Sequence, residues 1–278
     1  MSSFCERAIK KCNLHTHTSL CDGLDTPEEM VLAAINRKMD TLGFSGHSLV
    51  SFDLPCCMSK ENELIYRKEV SRLKEAYQDR LHILMGLEQD FFSDLPPLGY
   101  DYVIGSVHYL HFEGKYYPID LSRDILLEIV NRFCGGDVYR FLRMYYEHVA
   151  QLPERTACDI VGHFDLVMKF NEDGSFFDQT DPRYLRYALD ALDTLLEKDL
   201  VFEINTGAVS RGHRRLPYPA PVFLRRIAEK RGNVTVTSDA HKKENLLFAF
   251  SDAVQYARAA GLGSLVVMEQ NGWKICPM

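Results

Sequence analysis

NLHTHTSLCDG, residues 13–23, closes the first predicted strand (12–16) and leads into a predicted helix. Side chains alternate between the two faces of a strand, so His15 and His17 point to the same face. Asp22 follows in a Cys-Asp-Gly sequence, which is also typical of a plain turn. The stretch therefore predicts a pair of imidazoles at a strand end, with a carboxylate close by in sequence.

Strands and helices alternate along the rest of the chain. Apolar runs predict the strands, and apolar residues at helical spacing predict the helices between them. Repeated strand–helix units imply parallel strands with right-handed crossovers, as in an α/β sheet or a closed barrel. The predicted strands are 12–16, 41–45, 81–87, 102–107, 158–161, 201–204, 234–237 and 264–267, and the predicted helices are 26–39, 59–78, 122–133, 137–151, 182–198, 220–231 and 243–260.

Residues that bind metals recur where these strands end. The carboxyl ends of the strands of a β/α barrel meet at one rim, where such folds place their active sites. Imidazole and carboxylate are ligands of Zn, Fe and Mn, and burying many of them without a cation would leave polar groups unpaired. We therefore expect one metal site from these strand-end residues: His15, His17, His47, Glu88, His108, His163, Asp239 and His241.

Length, charge and cysteine usage narrow the class of protein. The 278 residues carry 32 Lys and Arg against 39 Asp and Glu, and this net charge of −7 argues against a nucleic-acid partner. No apolar run approaches the ~18 residues of a membrane helix, and residues 1–12 lack the apolar stretch of a secretory signal. The eight cysteines form no CxxC pair, so we expect reduced thiols in a cytoplasmic protein.

Seven motifs together resemble those of the PHP (polymerase and histidinol phosphatase) family. They occur in the family's order and cover nearly the whole chain. Within the family the sequence is most similar to the histidinol-phosphatase branch, because of GSVHYL, the stretches 135–152 and 163–170, and the Pro-Tyr-Pro after FEINTG. The seven motifs are NLHTHTSLCDG (13–23), GFSGHS (43–48), GLEQDF (86–91), GSVHYL (105–110), DIVGHFD (159–165), FEINTG (202–207) and VTSDAH (236–241).

The resemblance implies a distorted, TIM-like (β/α)7 barrel that forms a single PHP phosphoesterase domain over residues 1–278. It also implies three divalent metal ions, with Zn favoured and Fe or Mn as alternatives. The first ion would take His15, His17, Glu88 and Asp239. The second would share Glu88 and add His108 and His163, and the third would take Asp22, His47 and His241.

The activity that the resemblance implies is that of a metal-dependent phosphomonoesterase in histidine biosynthesis. Its small-molecule substrate would be L-histidinol phosphate, hydrolysed to L-histidinol and phosphate by a metal-activated hydroxide in a trinuclear site. Glu88, Asp239 and His241 would be the ligands that position this hydroxide. Divalent ions lower the pKa of water, orient the phosphoryl group for in-line attack and neutralise its charge, so no protein nucleophile is required.

Basic residues that could hold the substrate phosphate lie on the same rim. The segment VSRGHRR (209–215) follows the sixth predicted strand, and the planar arginine fork suits phosphate oxygens. The resemblance favours Arg211 in this segment, with Arg215 as an alternative, and it places a second basic residue at Lys169. A solvated basic loop is the alternative interpretation.

The ammonium group of histidinol phosphate calls for a carboxylate near the pocket. Glu113 and Asp120 follow the fourth predicted strand and are candidates by position only. Plain surface acids are the alternative interpretation of both residues.

Two other functions are compatible with the motifs. The chain could be a PHP phosphoesterase that acts on another small phosphate monoester or a nucleotide, or a PHP domain that binds metal without turnover. The acidic charge counts against a polymeric substrate. The complete set of ligand residues counts against a domain without turnover.

Overall fold

A parallel sheet of seven strands curls into a nearly closed barrel in the computed structural model, which describes residues 9–278. In chain order the strands are β1 (Cys12–Asn13), β2 (Thr41–Phe44), β3 (His82–Asp90), β4 (Tyr102–Ser106), β5 (Tyr109–Phe112), β6 (Lys115–Pro118), β7 (Ile160–Val161), β8 (Val201–Asn205), β9 (Asn233–Thr237), β10 (Ser264–Glu269) and β11 (Gly272–Pro277). The parallel sheet has the order β1-β2-β3-β4-β7-β8-β9. The predicted distorted (β/α)7 barrel is therefore confirmed.

The barrel closes between its first and last parallel strands through a single bridge. Thr16, just beyond β1, pairs in parallel with Ala240, just beyond β9. The His17 amide donates to the Ala240 carbonyl at 2.9 Å, and the Ala240 amide donates to the His15 carbonyl at 3.2 Å. Two segments that carry candidate ligands are thus joined backbone to backbone.

Helices fill the connections between the strands, as the apolar spacing predicts. They are α1 (Pro27–Asn36), α2 (Lys60–Ala76), α3 (Arg123–Phe133), α4 (Val138–Val149), α5 (Leu152–Thr156), α6 (Pro182–Leu196), α7 (Gly207–Ser210), α8 (Pro221–Glu229) and α9 (Phe250–Ala259), with 3-10 turns at Leu166–Phe170 and Lys243–Asn245. Thr26 and Glu29 form a capping box at the start of α1, and Pro27 occupies its first position. The helix therefore begins directly after the loop that carries Asp22.

The prediction for the last strand is wrong in its implied direction. β10 pairs antiparallel with β11 instead of adding a parallel strand to the barrel. An apolar run does not distinguish the two arrangements, whereas Gly272, at φ 94°, allows the tight turn of a hairpin. Val266, Val267 and Met268 pack against residues at the starts of the barrel strands. The hairpin therefore covers the end of the barrel opposite the candidate ligands.

Three smaller features also differ from the sequence prediction. The sequence does not predict the short hairpin of β5 and β6, and the helix predicted over 243–260 is split by Ala249 in the left-handed conformation. Leu64, which the spacing on α2 predicts to face inward, is exposed. Tyr66 is buried instead, and its hydroxyl donates to the Gly86 carbonyl at 2.7 Å. The side of α2 that carries Tyr66 therefore faces the barrel.

Three sequence expectations concern features away from the barrel. The prediction that residues 1–12 lack a secretory signal falls mostly on residues 1–8, which lie outside the described residues. Within residues 9–278, no helix combines the length and the apolar character needed to cross a membrane. The seven cysteines in this part of the chain are free thiols.

Candidate active site

All nine candidate ligands meet at the rim where the parallel strands end. Glu88 lies within β3, and the others lie in the segments that follow strands. A cavity of about 230 Å³ opens at this rim and is lined by seven of the nine, while His15 and His17 are fully buried beneath it. The structure thus brings together every residue that the sequence assigns to the metal centre.

One oxygen of Glu88 faces the side of the cavity formed by β4 and β7. Glu88 Oε1 lies 3.1 Å from His163 Nε2 and 3.3 Å from His108 Nε2, and these two nitrogens are 3.2 Å apart. The Ser106 hydroxyl donates to the same oxygen at 2.7 Å. Two imidazole nitrogens and a carboxylate oxygen at these mutual distances can bind one cation.

The other oxygen of Glu88 faces the imidazoles that follow β1 and β2. Glu88 Oε2 lies 3.0 Å from His47 Nδ1, 3.1 Å from His15 Nε2 and 3.5 Å from His17 Nε2. Burial by itself raises the pKa of the Glu88 carboxyl, but the surrounding histidines bring it well below its usual range. An ionised carboxylate with ligand nitrogens on both sides can bridge two cations.

Two aspartates complete the ring of candidate ligands. Asp239 Oδ1 lies 3.3 Å from His17 Nε2 and 3.4 Å from His241 Nδ1. Asp22 Oδ2 lies 3.1 Å from His241 Nε2 and 3.6 Å from His47 Nε2. The Asp22 carboxylate therefore faces two imidazoles, which favours its role as a candidate ligand over that of a plain turn residue.

The ligand atoms separate into three compact groups, each with atoms within 4.8 Å of one another. The groups are His15, His17 and Asp239; His47, Glu88 and His108; and His17, Asp22, His47 and His241. They overlap with the three predicted sets and differ from them in four ways. Glu88 is missing from the first group and His163 from the second, while His47 joins the second group and His17 joins the third.

The buried atoms at the base of the cavity fit a metal centre. His15 Nε2, His17 Nε2 and Glu88 Oε2 are buried and form no hydrogen bond. Each such atom costs free energy unless a partner satisfies it. A cation among two imidazole nitrogens and a carboxylate oxygen would satisfy all three, and this donor set suits Zn.

Glu203 is a buried carboxylate that the sequence analysis missed. Its Oε2 accepts hydrogen bonds from His15 Nδ1 at 2.9 Å and from the Thr237 hydroxyl at 2.8 Å, and its Oε1 accepts from the His163 amide at 2.5 Å. When His15 donates from Nδ1, its Nε2 lone pair faces the centre. A charged residue inside the apolar strand of FEINTG was the sequence signal for this role.

Asp90 acts in the same way behind a second histidine. Its Oδ2 lies 3.2 Å from His108 Nδ1 and accepts the His108 amide at 3.1 Å. The Phe92 amide donates to Asp90 Oδ1 at 2.7 Å and fixes the carboxylate. His108 Nε2 is thereby directed towards Glu88.

Three of the predicted substrate-binding residues, Arg211, Lys169 and Asp120, line the cavity. Arg211 follows α7 and donates to Asp239 Oδ2 at 3.0 Å and to the Asp239 carbonyl at 3.1 Å. Gly207 permits this approach, since a Cβ there would lie 2.7 Å from the Asp239 side chain. Lys169 Nζ donates to the Asp120 carbonyl at 2.6 Å and lies 3.3 Å from its carboxylate, which also lines the cavity.

The remaining two substrate candidates lie elsewhere. Arg215 is 90% exposed, faces Glu172 and lines a shallow surface groove beside the main cavity. Glu113 lies at the turn of the β5–β6 hairpin and pairs with Arg132 at 3.0 Å. Both side chains therefore lie at the surface, outside the main cavity.

The fold and the site define a parallel β/α barrel with clustered metal-binding side chains at one rim. The chain belongs to the PHP family. The model of the PHP domain family matches residues 12–207. A "Probable histidinol-phosphatase" of Deinococcus radiodurans is 32% identical over 261 residues, which cover 90% of this chain and 94% of the relative. A protein of the same name from Schizosaccharomyces pombe is 26% identical over 215 residues, 74% of this chain and 68% of the relative.

A solved structure shares the fold. It is the histidinol phosphate phosphatase of Lactococcus lactis in complex with Zn, L-histidinol and phosphate. The match has a TM-score of 0.69 and covers 96% of this chain and 100% of the other, at 19% identity. At that identity the likeness concerns the fold alone.

Proposed function

We propose that this protein is a metal-dependent phosphomonoesterase that hydrolyses L-histidinol phosphate to L-histidinol and phosphate. One observation carries the proposal: a single cavity is lined by seven candidate metal ligands, with two more buried beneath it, and by an arginine and a lysine. The similarity to two relatives named as histidinol-phosphatases supports this substrate. The proposal includes a place in histidine biosynthesis, a cytoplasmic location and a single domain over residues 1–278.

Three divalent ions complete the proposed centre, with Zn favoured over Fe and Mn. When bound, such ions supply a nucleophile from water at neutral pH, orient the phosphoryl group and neutralise its charge. The proposed ligands of the first ion are His15, His17, Glu88 and Asp239. Those of the second are Glu88, His108 and His163, and those of the third are Asp22, His47 and His241.

The protein residues in this proposal mainly fix positions and charges. Glu88 and Asp239 stay ionised at neutral pH, because their pKa values lie well below the usual range even though burial alone would raise them. For Asp239 the neighbouring Arg211 and His15 outweigh the effect of burial. Glu203 and Asp90 hold His15 and His108 in the ring orientation that directs Nε2 into the cavity.

The two ends of the substrate would meet different surfaces of the cavity. Arg211, whose side chain is one-third exposed, offers N–H groups to phosphate oxygens. Lys169 and Asp120 together present a cation and a carboxylate, and the carboxylate would bind the substrate ammonium. Tyr109 and Leu166 line the same cavity and supply apolar surface for the imidazole ring.

A substrate screen on metal-analysed protein tests the proposal. Phosphate release is measured with L-histidinol phosphate, AMP and p-nitrophenyl phosphate, before and after the ions are removed by chelation. We expect the highest kcat/KM with histidinol phosphate and loss of turnover without metal. A preference for AMP would support the nucleotide alternative, and metal-loaded protein without turnover on all three would support a non-catalytic domain.

A further inference from the structure

The proposed ligands of the third ion differ from the others in the contacts that hold their side chains in place. Asp22, His47 and His241 lie in loops, and their side chains are 30%, 19% and 27% exposed. Behind His47 and His241 lie only Glu88 and Asp239, which are themselves candidate ligands, and no further buried carboxylate like Glu203 supports these three residues within the described chain. The position of Asp22 relative to His241 therefore depends on what joins their two loops.

An ion pair joins these loops three residues beyond Asp22 and two residues beyond His241. Asp25 Oδ1 accepts from Lys243 Nζ at 2.5 Å, and Asp25 Oδ2 accepts from the Lys243 amide at 2.8 Å. The Leu24 amide donates to the His241 carbonyl at 2.8 Å. We call the contacts between Asp25 and Lys243 the loop clamp.

The clamp is also anchored to the start of a helix. Lys243 Nζ lies 3.7 Å from Glu29, which belongs to the capping box of α1. The Asp25 side chain is only 12% exposed, and its pKa is lowered because the bonds from Lys243 outweigh the effect of burial. Asp25 is therefore ionised and largely shielded from water, which strengthens its bond to Lys243.

We propose that Lys243, through Asp25, is a positioning residue that holds Asp22 against His241 and so retains the third ion. The inference rests on the proposed metal centre. Asp22 Oδ2 lies 3.1 Å from His241 Nε2, and the clamp is the side-chain link between their loops. Without the Lys243 ammonium, the hydrogen bonds that remain between the two loops, apart from that of Asp22 with His241, come from backbone amides. Asp22 and His241 are then less well ordered before the ion binds, and the ion binds less tightly.

Metal retention provides a test that does not depend on activity. The full chain is loaded with Zn²⁺ and exposed to EDTA, and the ions per chain are followed by elemental analysis. For wild type we expect three ions. For Lys243→Met we expect one ion to leave about tenfold faster while two are retained as in wild type, in line with the effect of residues that orient metal ligands.

Three further variants make the test specific. Lys242→Met is the matched control, because Lys242 is exposed and forms no ion pair with another residue of 9–278; it should retain all ions like wild type. Lys243→Arg keeps the cation and should restore retention. Asp25→Asn breaks the same bond from the other side and should also speed the loss of one ion.

The outcomes separate this inference from the proposed function. A wild-type chain with three ions and a Lys243→Met variant with the same release rates would overturn the clamp and leave the metal centre standing. Equal acceleration of all ions would also overturn it, since the effect would then be general. A wild-type chain that binds no Zn²⁺ would overturn both.

Discussion

The metal-binding side chains of this barrel fall into two regions that differ in what lies behind them. The inner region consists of His15, His17, Glu88, His108, His163 and Asp239. His15, His17 and Glu88 are at most 1% exposed, and the buried carboxylates of Glu203 and Asp90 contact the far side of His15 and His108. In the outer region, Asp22 and His241 are partly exposed, and surface contacts between loops join them. The inner region is fixed by the strands of the barrel, and the outer region is fixed by the loop clamp.

This difference separates two properties of a metal site. Ligands held before the ion arrives lose little conformational freedom on binding, so the inner region should bind its ions tightly. Ligands on loops near solvent allow an ion to enter and leave. We therefore expect the ion of the outer region to exchange first when the protein is exposed to a chelator.

The largest effect is expected at the centre of the inner region. Glu88→Gln keeps the shape of the side chain but removes the charge that faces the histidines on both sides. We expect kcat/KM to fall by more than about 100-fold, with loss of ions from the inner region and an intact fold. The measurements are phosphate release, elemental analysis and circular dichroism.

The control for this variant is Glu61→Gln, which changes an exposed acid on α2. It should match wild type in all three measurements. Near-normal turnover and metal content in Glu88→Gln would contradict the tight binding expected of the inner region, because that region would then not depend on its central carboxylate.

The next effect concerns the support of the inner region. Glu203→Gln removes the charge that holds His15 Nδ1. We expect Zn²⁺ affinity to fall by about 10- to 100-fold, as is common when a carboxylate behind a ligand histidine is lost. Competition with a chelating indicator measures the change, and Glu229→Gln, at an exposed position, serves as the control. Unchanged affinity would mean that the barrel orients His15 without Glu203.

A smaller effect is expected beside the outer region. Arg211 lines the cavity 3.2 Å from His241 Nδ1, so Arg211→Ala should weaken the binding of phosphate. Asp239 would lose the donor to Oδ2 but keep Oδ1 beside His17, so the inner region should keep its ions. A charge-assisted hydrogen bond contributes about 1.5–3 kcal/mol, which corresponds to a loss of roughly ten- to a hundredfold in kcat/KM.

Arg215→Ala is the matched control in the same segment, because Arg215 is exposed and outside the main cavity. Its kcat/KM should equal that of wild type. If Arg215→Ala loses activity and Arg211→Ala does not, the phosphate is held by the surface groove, and our assignment within the segment is wrong.

The smallest effect is a release of protons when Zn²⁺ binds to the ion-free protein. Burial lowers the pKa of His108, but Glu88 and Asp90 outweigh it and raise that pKa to about 10. His17, by contrast, has a pKa lowered to about 3 by burial and by His241 and His47. Despite burial, the pKa values of His15 and His47 are also raised, by Glu203 for His15 and by Glu88 and Asp22 for His47. At neutral pH the binding of Zn²⁺ should therefore displace protons from these two histidines and from His108, and none from His17.

Zn²⁺ titration in weakly buffered solution measures this release. In the ion-free chain, the charge of His108 contributes stability that is fully present below pH 6.5 and lost as the pH rises through about 10. Zn²⁺ affinity should rise over the same interval. Asp90→Asn should reduce the proton release, and loading that releases no proton in wild type would contradict this picture of His108.

Eight of the nine candidate ligands could be located from sequence because each is an imidazole or carboxylate at the end of a predicted strand. His15, Glu88 and His163 follow or end apolar runs, and parallel strands bring such positions to one rim. The same alternation predicts an α/β sheet or a closed barrel, because crossovers between parallel strands are right-handed. The resemblance to the PHP family then implies the seven-stranded barrel and adds Asp22 to the ligands.

The features that sequence did not predict depend on long-range contacts. Glu203 lies in the interior of a strand, and its partner His15 is far away in the sequence. The antiparallel pairing of β10 with β11 requires the far end of the barrel as a surface to cover. The exposure of Arg215 depends on how its segment turns after Arg211, which apolar spacing does not specify.

The bridge between Thr16 and Ala240 has a consequence for the order in which the molecule assembles. It joins positions near the two ends of the barrel, and the entropy of closing such a loop grows only with the logarithm of its length. Seven of the nine candidate ligands precede Asp239 in the chain, so a nascent chain exposes them before Asp239 and His241 have been synthesised. The centre can therefore mature only after β9 has emerged, and any ion captured earlier would be held by an incomplete set of ligands.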